Sequence, residues 1–133
     1  ICGKGISIQA YNISRKIREI DEWIDVKPAS IEMLEAHPEL CFKTLNQNLD
    51  LKFSKHDKLG IEERKNILFR SDDHLKTIYE NLMKRYKRSQ VKPDDILDAM
   101  ALHLVNSNSS ALKYFEDENN IDETGKWVKI VYG

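Results

Sequence analysis

The sequence predicts an α/β domain dominated by helix. Three observations lead there. Isoleucines recur at the spacing of an amphipathic helix, and a late segment after Pro93 is apolar almost all round. Two short runs, near residues 30 to 37 and 127 to 132, have the residue pattern of strands. At 133 residues, with 41% apolar and 32% charged side chains, the chain has the size and composition of one folded domain with a heavily charged surface.

The elements follow in chain order. Ile13, Ile17, Ile20 and Ile24 stand at i, i+4, i+7 and i+11, with Arg15, Lys16, Arg18, Glu19 and Asp21 between them. That stripe predicts a helix over about residues 7 to 26. Lys27 and Pro28 end it, because the residue before a proline is pushed out of the helical region. Ile31, Met33 and the run from Leu34 to His37 predict a strand of about residues 30 to 37, ending at Pro38. A polar loop follows, then a helix over about residues 58 to 70. Leu75, Ile78, Tyr79, Leu82, Met83 and Tyr86 mark a further helix from about Asp72 to Arg88, with Ser71 or Asp72 as its cap. Pro93 suits a first helical turn and opens a helix through about Asn106. Ile96, Leu97, Ala99, Met100, Ala101, Leu102, Leu104 and Val105 leave that helix almost no polar face, so it should be buried on most sides. An acidic loop from Glu116 to Glu123 and a closing strand from Trp127 to Tyr132 complete the chain.

Charge and motifs exclude several functions. With 21 basic against 22 acidic residues the net charge is -1, so no global basic field draws the chain to nucleic acid. Lys84, Arg85, Lys87 and Arg88 around Tyr86 form a local basic cluster, read first as a solvated helix end and second as a nucleic-acid patch. There is no phosphate-binding glycine loop, no nucleophile elbow and no Cys/His zinc spacing, which disfavours nucleotide-cofactor enzymes and serine hydrolases. No run approaches the roughly 20 apolar residues of a membrane span, so a cytoplasmic protein without a membrane partner is expected. Cys2 and Cys41 have no CxxC partner and are expected as packing thiols of a reducing compartment.

Two clusters could carry chemistry. In Asp94-Asp95-Ile96-Leu97-Asp98-Ala99, the first two acids suit the positive end of a helix. Asp98 lies a turn deeper on an apolar helix, where an unpaired carboxylate is costly, so something must compensate it. A divalent cation would do so, and so would a Lys or Arg. Opposed acids around Asp98 would favour metal, and a salt bridge would favour a scaffold. The second cluster is Glu35-Ala36-His37-Pro38-Glu39. Glu35 and His37 share a face in an extended chain, at a strand end where open α/β sheets gather their sites. The alternative is a polar strand terminus making local hydrogen bonds.

Taken in order, several blocks resemble a known family. They are the run from Gly5 to Ile13, the run from Lys16 to Asp21, Glu35-Ala36-His37-Pro38-Glu39-Leu40-Cys41-Phe42, Ser54-Lys55 with Gly60-Ile61-Glu62-Glu63-Arg64, the acidic block from Asp94 to Ala99, and the run from Trp127 to Tyr132. Together they resemble the family called domain of unknown function 429, described as predicted nucleases with a ribonuclease H-like fold. The resemblance implies a metal-dependent nuclease, in which carboxylates hold Mg or Mn and an activated water cleaves a phosphodiester of nucleic acid. Carried over by position, Glu35, Asp95 and Asp98 are the catalytic metal ligands, the two aspartates in a pattern similar to that of Holliday-junction resolvases. Glu39 flanks them, and His37, Lys55 and Arg64 are substrate-binding candidates. The family's first strands, with an early Asp, have no counterpart here, and the chain opens with Ile1 rather than Met. Residues 1–133 are therefore expected to be a single domain or the helix-rich C-terminal portion of a larger ribonuclease H-like domain. An exposed sheet edge would then favour a homo-oligomer. The rival expectation is a non-catalytic binding or scaffold module whose carboxylates pair with Lys or Arg.

Overall fold

A computed structural model of the chain describes residues 7–108, 112–115, 121, 125 and 130–132. Cys2, Gly5, Ile6, most of the acidic segment 116 to 123 and Trp127 to Lys129 lie outside the described residues. The chain divides into two compact units, residues 1–33 and 34–133.

The first unit contains helix α1, Ile8–Val26. Ser7 caps it by accepting a hydrogen bond from the Ala10 amide at 3.1 Å, and it stops before Pro28 as the sequence predicts. The isoleucine stripe leaves Ile13, Ile17 and Ile20 exposed on α1.

In the second unit the described residues form four helices and a small sheet. The helices are α2 (Pro38–Leu45), α3 (Lys58–Ser71), α4 (His74–Arg85) and α5 (Pro93–Ser107). The strands are β1 (Glu35–Ala36), β2 (Lys113–Phe115) and β3 (Ile130–Tyr132). Strand order is β1-β3-β2. β1 runs parallel to β3, with Glu35 opposite Ile130 and Ala36 opposite Val131, while β2 is antiparallel to it. The described chain is thus α/β and rich in helix, as expected.

Helix α5 organises the core. It touches α2, α3 and α4, and buries Ile96, Leu97, Met100, Ala101 and Val105 against Cys41, Phe42, Ile67, Leu68, Leu75 and Tyr79. One strip stays open, since Asp95, Ala99, His103 and Asn106 are exposed. Three helices cover three sides of α5, which makes it a broad amphipathic helix rather than one buried nearly all round. Cys41 sits in this core with no exposed surface, in the packing role expected of it.

Two expectations need correcting. The strand over about residues 30 to 37 shrinks to Glu35–Ala36, because β1 is paired to β3 only there. What was read as polar loop after Pro38 begins instead with helix α2, in which Pro38 takes the first-turn position and Glu39 adds an acid to the positive helix end.

Candidate functional site

The site begins with a loop, residues 51 to 57, held by side chains of α3. The Glu63 carboxylate accepts from the Lys52 amide at 3.0 and 3.1 Å and from the Phe53 amide at 3.1 Å. The guanidinium of Arg64 donates from Nη1 to the Phe53 carbonyl at 3.2 Å and to the Gly60 carbonyl at 3.0 Å. From Nη2 it donates to both Glu39 oxygens, at 2.9 and 2.7 Å. Its plane lies over the Phe42 ring, 5.5 Å from the centroid. Arg64 is 2% exposed, so a charged group reaches the core only because carbonyls, a carboxylate and a ring surround it.

Gly60 is the third part of this clamp. A Cβ there would lie 1.9 Å from the Ser54 carbonyl oxygen, so only glycine lets the loop approach α3 this closely. That same Ser54 carbonyl accepts from the Asp57 amide at 3.0 Å. Backbone on both sides of Lys55 is therefore fixed.

From that platform Lys55 reaches helix α5. Its Nζ lies 3.1 Å from Asp98 Oδ2, with the Lys55 side chain 35% exposed and that of Asp98 18%. The hydrogen bond to Asp98 raises the Lys55 pKa above its ordinary value. Burial pulls the other way, and the fields of Asp98, Glu39 and Asp94 add to the rise. Among the described residues, Asp98 Oδ1 is buried with no hydrogen-bond partner, and so is Arg64 Nε.

The residues singled out from the sequence are distributed as follows. Lys55, Asp98, Glu39 and Arg64 converge, with Asp94 close enough to act on Lys55. Asp95 is exposed, and its Oδ2 accepts from the Lys92 amide at 3.4 Å at the start of α5. Glu35 is exposed on β1, and His37 is the exposed N-cap residue of α2, making no side-chain cap bond. Among the described residues no group of three or more His, Cys, Asp or Glu side chains is placed to hold a metal ion. Arg64, expected as a phosphate contact, faces inward with Nη1 and Nη2 bonded within the chain.

Sequence reasoning passed over Glu63 and Gly60, and gave Glu39 only a flanking place. The available signal was the run Gly60-Ile61-Glu62-Glu63-Arg64, a glycine in a first helical turn followed by an acid and a base one turn on. Among the described residues, no helix is long and apolar enough to cross a membrane.

Compared with known proteins, the chain matches the family model described as Protein of unknown function (DUF429) over residues 1–111. No curated protein and no solved structure matches it.

Proposed function

The chain belongs to the DUF429 family, proteins of unknown function, and we propose that it serves metal-dependent hydrolysis of phosphodiesters in nucleic acid, on a ribonuclease H-like scaffold, with Asp98 at the centre of the site. The single observation that supports this most is the buried Oδ1 of Asp98, which among the described residues has no hydrogen-bond partner although Oδ2 is held by Lys55. An unpaired buried acceptor costs about 1 to 3 kcal/mol, so a group that filled it would be favoured, although Arg64 Nε is also buried without a partner among the described residues.

The Asp98 carboxylate is the kind of oxygen donor that Mg and Mn take, although its Oδ2 is held by Lys55. These ions take hard oxygen ligands, and Mg is commonly held by one or two carboxylates with waters and substrate phosphates filling the rest. The lack of a three-residue acidic group among the described residues is compatible with that arrangement. Bound there, the ion would supply charge stabilisation to a phosphoryl oxygen and acidify a water. Glu35 and Asp95 enter the ligand set by resemblance alone. In this reading Lys55 contacts phosphate, and His37 is a substrate contact by resemblance alone. Arg64 acts at one remove, fixing the loop that carries Lys55 rather than touching substrate.

The scaffold reading has the discriminating contact on its side, since Asp98 faces the ammonium of Lys55 in a salt bridge. The pairs Lys55 with Asp98 and Arg64 with Glu39 neutralise two carboxylates, as a non-catalytic binding or scaffold module would require. Incubation with labelled single-stranded and duplex DNA and RNA, with Mg or Mn and with a chelator, separates the two. Hydrolysis that needs metal and is lost in Asp98→Asn supports the nuclease. Metal-independent binding without cleavage, unchanged in Asp98→Asn, supports the module.

A further inference from the structure

We propose that helix α1 is a self-docking surface: the isoleucine stripe of one chain packs antiparallel against the same stripe of a second copy, making a two-fold symmetric helix pair. Three observations on α1 lead to it.

The first is the stripe itself. Ile13, Ile17, Ile20 and Ile24 follow one another in steps of four, three and four, the a and d spacing of a two-helix seam. Ile13 is 57% exposed, Ile17 56% and Ile20 44%, and Trp23, one turn from Ile20, is exposed as well. Ser7 caps the start of the helix and the Lys27 amide bonds back to the Trp23 carbonyl at its end, so a well-formed element carries the stripe. An apolar seam of this kind, with charged residues on the opposite face, marks an interaction surface.

The second is charge. Along α1, Arg15, Lys16 and Arg18 come first, and Glu19, Asp21, Glu22 and Asp25 follow. This order runs against the helix macrodipole, since α1 has no acid in its first turn and no base in its last, where Asp25 stands instead. Arg15 and Glu19 pair within the helix at 3.3 Å, but both are well exposed and such a pair is worth little. Beside an antiparallel copy, the acidic half lies along the partner's basic half and the two macrodipoles oppose, so the unfavourable order becomes complementary.

The third is that both patterns share one centre. The isoleucine quartet is symmetric about the point between Arg18 and Glu19, which is where the charge changes sign. A two-fold axis there sets Ile17 against the partner's Ile20 and Ile13 against the partner's Ile24, so a single register covers the whole quartet on both copies. The same axis brings Glu19 level with the partner's Arg18, Asp21 with the partner's Lys16 and Glu22 with the partner's Arg15. A parallel pair would keep the isoleucine layers but lay base beside base and acid beside acid. A second copy of the same helix, run in the opposite direction, satisfies both patterns at once.

The test is sedimentation of the full chain at low and high salt, over a concentration series reaching about 1 mM. It is run on the wild type and on Ile17→Asp. Cysteine cross-linking then reads the direction, with Ile13→Cys alone and Ile13→Cys with Ile24→Cys, each combined with Cys2→Ser. The wild type should form a reversible dimer that weakens as salt rises. Ile17→Asp, counted twice in a symmetric pair, should weaken association by about a hundredfold or more. Oxidation should link the double-cysteine chains from position 13 to position 24 and leave Ile13→Cys alone unlinked. A wild type that stays monomeric throughout the series overturns the proposal, and so does a dimer that Ile17→Asp leaves intact. Association that strengthens with salt, with Ile13→Cys linking to itself, overturns the antiparallel pair. The substitutions fall in the unit of residues 1–33, apart from the core of residues 34–133, and the salt series on the wild type decides without any variant.

Discussion

Arg64 and Glu39 form a two-point ion pair across helices α3 and α2, with Nη2 at 2.9 and 2.7 Å from the two carboxylate oxygens. The guanidinium is buried and the carboxylate side chain is about one-third exposed. Removing one partner therefore does unequal damage. Arg64→Met should cost about 3 to 5 kcal/mol, since it frees a carboxylate and also releases the Phe53 and Gly60 carbonyls. Glu39→Gln should cost on the order of 2 kcal/mol, because solvent screens part of what is lost. Urea denaturation of both variants checks the order, and Arg64→Lys should not rescue, because a single ammonium cannot replace the fork.

Gly60→Ala tests the close approach of loop and helix. The added methyl would meet the Ser54 carbonyl at 1.9 Å, which is backbone and cannot turn aside. The expected loss is about 2 to 3 kcal/mol of stability, and the loop carrying Lys55 must shift. Thermal unfolding gives the first quantity, and amide exchange over residues 51 to 57 reports the second.

Alkaline pH should weaken the fold in a defined window. The Lys55 pKa is raised from 10.5, chiefly by the hydrogen bond to Asp98, so its contribution is complete below that value and is lost as pH rises through the higher folded value. Tyr79 is raised from 10.0, chiefly by burial, and the sign is the same because its ionised form is penalised in the fold. The melting temperature should show no loss from these two groups between pH 7 and 9 and should fall above about pH 10. Lys55→Met and Tyr79→Phe should each flatten part of that fall in melts recorded from pH 8 to 11.

The sequence conveyed the helices whose signals are local. Periodicity located α1 and α5, and Pro28 and Pro93 set one boundary of each. Helix α2 was hidden because His37-Pro38 fits a strand end as well as a helix start, and the choice depends on where β1 finds a partner. That partner, β3, lies almost a hundred residues away, and it accepts two residues rather than eight. The same distance effect governs the site. Asp98 was recognisable as a carboxylate needing compensation, since that follows from its own helix. Lys55 as the group beside it was not, because 43 residues separate them and no spacing rule connects a loop to a helix across such a gap. Glu63 and Gly60 act on backbone, and backbone partners leave no trace in side-chain patterns.

The most direct test of the central claim is to crystallise the protein, soak it with Mn and locate the ion by anomalous scattering. The account predicts an anomalous peak at the Asp98 carboxylate. A map with no peak at Asp98 in a crystal saturated with Mn would contradict it.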